Sequence, residues 1–117
     1  MTASNPILRH TAVMLERAGK KGKAPIWSEA SALLSNSART RVEVNIARIS
    51  RVSEEGEAIF VPGKVLGTGV MGRRVVVGAF AFSSSAKSKI EASGGSALSV
   101  EEFLKKYPKG SGVKLVK

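Results

Sequence analysis

The stretch from Ala58 to Gly67, Ala-Ile-Phe-Val-Pro-Gly-Lys-Val-Leu-Gly, constrains the fold more than any other. Strand-forming residues stand on both sides of Pro62-Gly63. Proline gives no N–H to a β-ladder, so the break predicts a bend or a sheet edge. Lys64 is the lone charge in the stretch, set where small, sharply bent backbone surrounds it. Further on, Val75-Val76-Val77, Ala79-Phe80 and Phe82 make residues 74–82 nearly continuously apolar. That pattern predicts a strand buried on both faces.

The remaining punctuation predicts short alternating elements. Asn5-Pro6 suits a helix start, and Ile7, Leu8, Ala12, Leu15 and Ala18 give an amphipathic helix over 6–18 that Gly19 ends. Lys20 to Ala24 reads as a basic loop. Pro25 opens a second helix with Ile26, Trp27, Ala30, Leu33 and Leu34 inward, and a polar linker runs from Ser35 to Thr40. Val42, Val44 and Ile46 alternate as a strand, residues 47–52 read as a helical turn, and Glu54 to Glu57 as a turn. Gly67 to Gly72 reads as the tip of a hairpin. Ser83 is an N-cap for a helix over 84–92, and Ser93-Gly94-Gly95 stops it. After a strand at Ala97-Leu98, Ser99 and Glu102 form a capping-box pattern for a helix over 100–106. Pro108 to Gly112 is a loop before a last strand at Val113, Leu115 and Val116. The expected class is α/β: one domain over 1–117, with a helical N-terminal extension (1–40) and an α/β body (41–117).

Charge points to a partner. Nineteen Lys and Arg face nine Glu, a formal net charge of +10. The excess is uneven, being +6 over residues 1–53, −3 over 54–63, +5 over 64–89 and +2 over 90–117. Separated charge of this kind predicts a polyanion footprint. The chain has no Cys, which excludes disulfides, thiolate catalysis and Cys-based zinc sites. No apolar run approaches the roughly 20 residues of a membrane span, and the first residues do not resemble a signal peptide. An intracellular protein is expected.

Motifs that suggest chemistry lose it in context. Gly67-Thr-Gly-Val-Met-Gly72 matches G-x-G-x-x-G, but a strand follows where a dinucleotide site needs a helix. Lys109 to Gly112 resembles a fragment of a phosphate loop without its spacing or its helix. His10 is the only His and has no second ligand type beside it, and Ser83 to Ser85 are explained by capping. Glu101 and Glu102 point apart. No cofactor, no catalytic residue and no small-molecule substrate are expected. The basic residues remain. Arg73 and Arg74 beside the Gly-rich tip suit a phosphate clamp. Lys20, Lys21 and Lys23, with Arg9, Arg17, Arg39 and Arg41, suit a phosphate-contacting surface around the helical pair. Trp27 reads as a core anchor, with base stacking as the alternative.

The heptapeptide Val61 to Gly67, with Phe82-Ser-Ser-Ser-Ala86 and Pro108-Lys-Gly-Ser-Gly-Val113, resembles the archaeal and eukaryotic large-subunit ribosomal protein family called eighteen-e, a relative of bacterial large-subunit protein fifteen. Gly94-Gly95, Ala24 to Trp27 and Glu43 to Ile46 add to the likeness, which spans Asn5 to Val116. The resemblance implies a structural protein bound to large-subunit ribosomal RNA and neighbouring ribosomal proteins, cytoplasmic on the ribosome and without catalysis. It also implies an irregular superhelix of short strand-strand-helix turns after the helical pair. Lys64 and Lys109 sit in the matching loops as the leading RNA-contact candidates, and Lys87 and Lys114 complete the set. The alternative is a general nucleic-acid-binding protein outside the ribosome.

Overall fold

The computed structural model describes residues 6–35 and 42–117. The elements are α1 (Pro6–Gly22), α2 (Pro25–Leu34), β1 (Val42–Asn45), α3 (Ile46–Val52), β2 (Ala58–Leu66), β3 (Val76–Phe82), α4 (Ser84–Ala92), β4 (Ser96–Leu98), α5 (Val100–Lys106) and β5 (Val113–Leu115). The α/β class and the N-terminal helical pair match the sequence reading.

All five strands form one sheet, and every pairing is parallel. The expected hairpin at 67–72 is therefore corrected. β2 and β3 run the same way, with Ala58 opposite Val76 and Val65 opposite Phe82. Residues 67–75 must carry the chain back along the full strand, and they do so without a helix. The expected bend at Pro62-Gly63 is corrected too, because β2 continues through it. One edge of β2 pairs with β3. The other is shared, with β5 along 58–60 and β1 along 63–66. Pro62 falls between those two partners, where a missing N–H costs no ladder bond. A bulge against β3 falls at the same place, between Val61 and Lys64. Gly63 is required there, since a side chain would strike the Val42 carbonyl.

Handedness explains which helix covers which face. From β1 through β4 the sheet grows in one direction, so right-handed crossovers put their connections on one side. Ile46 and Ile49 of α3, Met71 and Val75 of the crossover, and Ala86 and Ile90 of α4 share one core with Ile59, Val61 and Val77. The return from β4 to β5 reverses direction, and α5 accordingly lies on the opposite face. There Val100 and Phe103 join Leu8, Leu15, Trp27, Leu34 and Phe60. The helical pair covers the part of that face that α5 leaves.

The ends of the elements follow local chemistry. The Ala86 N–H donates to Ser83 Oγ at 3.2 Å, and Ser99 and Glu102 cap each other reciprocally. α1 is longer than expected, since it runs past Gly19 to Gly22. Gly19 is not a stop but a point of close approach, where a side chain would strike Ser28 on α2. The true terminus is a Schellman motif. The Ala24 N–H donates to the Gly19 carbonyl at 2.8 Å and the Lys23 N–H to the Lys20 carbonyl at 3.4 Å. The C′ position usually taken by glycine holds Lys23, at φ 51°.

Candidate nucleic-acid interface

Folding joins the α1–α2 corner to the loop before β5. Trp27 is fully buried, edge-on to Phe60 at 5.1 Å and to Phe103 at 5.9 Å. Its indole N–H donates to the Pro108 carbonyl at 3.1 Å. That settles Trp27 as a core anchor rather than a stacking platform. Gly22 faces the same carbonyl, and the Lys109 Cα lies 3.8 Å from where a Gly22 side chain would begin. Lys20, Lys21, Lys23 and Lys109 thus share one corner, all exposed. Lys20 lies 3.7 Å from Glu16, whereas Lys21, Lys23 and Lys109 form no ion pair among the described residues. The last turn of α1 also favours cations, since its free carbonyls present partial negative charge.

The other candidates lie elsewhere. Arg9 and Arg17 are exposed on α1, where they line a shallow groove with Pro6, His10, Val13 and Met14. Lys64 is the one exposed residue of β2, re-aimed outward at the bulge and opposite Glu43 in the register with β1. Lys87 is exposed on α4. It adds a smaller pull on the Glu102 carboxyl, which hydrogen bonds from Ser99, backbone first, hold below the usual carboxylate range. Arg39 and Arg41 lie outside the described residues.

Two candidates are engaged within the fold. Lys114 is half-buried, with its ammonium 2.7 Å from the Val52 carbonyl and 3.4 Å from Glu57. Arg74 pairs with Glu55 at 3.6 Å, and its backbone N–H donates to the same carboxylate. Arg73 is exposed, and its guanidinium donates to the Ser50 carbonyl. The cations therefore do not all gather on one face. The α1 corner and the 108–112 loop come together, while Arg73, Lys64 and Lys87 sit at other points of the surface.

Sequence reasoning does not single out Lys89. Its ammonium donates to the carbonyls of Gly67 at 2.8 Å and Gly69 at 2.9 Å, holding the crossover to α4. Only the acid-free run over residues 64–89 hints at it, and that run does not distinguish a structural lysine from an RNA-facing one. Among the described residues, no helix is long and apolar enough to cross a membrane.

Comparison with known proteins agrees with this architecture. Residues 34–98 match the family model that joins the ribosomal proteins 50S-L15 and 50S-L18e with their counterpart in the 60S subunit. Large ribosomal subunit protein eL18 of Methanococcus maripaludis is 43% identical over 114 residues, covering 97% of this chain and 95% of the relative. The eL18 protein of Archaeoglobus fulgidus is 41% identical over 116 residues, 99% of each chain. That of Pyrobaculum aerophilum is 36% identical over 113 residues, 97% of this chain and 93% of the relative. Likeness at this level along nearly the whole length places the chain in the family of large ribosomal subunit protein eL18.

Proposed function

We propose that this chain is a structural component of the large ribosomal subunit, held there by its basic side chains on ribosomal RNA. Its family consists of ribosomal structural proteins and not of enzymes. Neighbouring ribosomal proteins are further partners, and the working location is the ribosome in the cytoplasm. The helical pair and the sheet act as one unit over residues 1–117. Lys64, Lys87, Arg9 and Arg17 add contacts from other sides, as suits a protein packed among RNA helices. Lys114 and Arg74 are left out, because internal carboxylates already hold them.

The observation that carries this reading is the α1 corner. A buried indole fixes the loop that bears Lys109 beside the helix end that bears Lys21 and Lys23. Such an arrangement presents several ammonium groups to closely spaced phosphates with little ordering left to do on binding. Recognition follows phosphate position and RNA shape more than base identity.

Sedimentation of large subunits tests it. The wild-type chain is expected to travel with them. The triple variant Lys21→Glu, Lys23→Glu, Lys109→Glu should stay near the top of the gradient while keeping its thermal midpoint. Full incorporation of the folded triple variant contradicts the reading. A nucleic-acid-binding role outside the ribosome would instead leave the wild-type chain in the non-ribosomal fractions.

A further inference from the structure

Arg51 and Arg73 flank one open groove, although the sequence sets them far apart. Arg51 is exposed in the last turn of α3, and the crossover brings Arg73 back beside it. The groove is lined by Ala47, Ser50, Arg51, Val70, Gly72 and Arg73, with no carboxylate among them. The Arg73 guanidinium is held to the wall by the Ser50 carbonyl, which leaves other N–H donors of its planar fork for a ligand. The Gly72 N–H donates to Ser50 Oγ at 3.1 Å. On the other flank, Lys89 grips two carbonyls of the same segment.

The ridge between these two flanks carries Val70, which is 79% exposed, while Met71 beside it is buried in the core. A pinned segment that shows an apolar side chain between two guanidiniums is already shaped for a ligand. Arg74 does not share the groove, because Glu55 holds it. The paired guanidiniums are therefore Arg51 and Arg73, not the adjacent Arg73 and Arg74.

We infer that this groove is an RNA-backbone site. Arg51 and Arg73 take neighbouring phosphates as planar donor forks, and Val70 lies against the ribose between them. A wide, shallow A-form minor groove admits such a ridge without displacing bases. This inference rests on the RNA-binding reading above and adds a second attachment point, on the opposite face of the sheet from the helical pair.

The natural chain has no Cys, so Val70→Cys supplies a single thiol for a photoreactive crosslinker. The full chain carrying it is assembled into large subunits and irradiated. The expected adduct is to ribosomal RNA, and adding Arg51→Glu should lower its yield by about tenfold, the scale of losing one phosphate contact at moderate salt. Arg51→Lys should keep most of the yield. If the chain is incorporated but the adduct falls on another protein, or none forms, the groove assignment is wrong and the α1 corner reading stands. If the crosslinker-bearing chain and the wild-type chain both fail to enter large subunits, the RNA-binding reading fails and this site fails with it. An RNA adduct that Arg51→Glu leaves unchanged also overturns the paired-guanidinium site.

Discussion

The face of the sheet under α1, α2 and α5 is held together differently from the face under α3, α4 and the crossover. The first centres on aromatic rings. Trp27, Phe60, Phe103 and Tyr107 stack in sequence at 4.8 to 5.9 Å between centroids. The second is aliphatic, built from Ile46, Ile49, Ile59, Val61, Val77 and Ile90. Its loop is fastened by polar side chains on backbone carbonyls. The aromatic face therefore transmits its packing directly to the Lys109 loop through the indole N–H. The aliphatic face leaves its crossover to separate, exposed hydrogen bonds. A disturbance of one core should reach its basic surface, and a disturbance of the other should not.

Paired truncations put this contrast at risk. Trp27→Ala should cost about 3–5 kcal/mol. It should also free the 108–112 loop, with faster amide exchange at Gly110 and weaker ribosome binding at temperatures where the protein is still folded. Ile90→Ala should cost a comparable amount, about 2–5 kcal/mol, and leave Gly110 exchange and binding as they were. Denaturant titration with residue-resolved exchange reads both quantities. Equal effects of the two truncations on the loop would erase the distinction.

A smaller effect is expected at the crossover. Lys89→Met removes two bonds to exposed carbonyls that water then solvates, so the global loss should be about 1 kcal/mol. The local effect should be larger. Proteolysis within residues 67–75 should begin well before global unfolding. Cutting only in step with global unfolding would show that packing, and not Lys89, holds the segment.

The smallest effect carries the opposite sign. Lys23 occupies a left-handed conformation, which disfavours a side chain by about 1 kcal/mol. Lys23→Gly should raise stability by about that amount while weakening ribosome binding. A gain in stability with binding unchanged would remove Lys23 from the interface.

Local signals are the readable part of this sequence. Ser83, the Ser99–Glu102 box, the inward Trp27 and the apolar β3 run each depend on neighbours a few residues away, and the structure places them as expected. The parallel sheet is not readable in the same way. Residues 67–75 are short, Gly-rich and free of helix, which is what a hairpin connection looks like. Long-range bonds from Ala47, Ser50, Lys89 and Ser93 hold them as a crossover instead. Gly19 misleads for a similar reason, since its small size serves α2 and not the end of α1. Among the cations, sequence shows the excess but not the partners. Glu57 and Val52 reach Lys114 from far along the chain, and the pairing of Arg51 with Arg73 exists only once α3 is in place.

The most direct test attaches crosslinkers at positions 23 and 109 in turn, in assembled large subunits, and maps the RNA nucleotides captured. A corner preformed by folding predicts that both positions capture the same short segment of ribosomal RNA. Capture of separate RNA regions, or of protein alone, would contradict it.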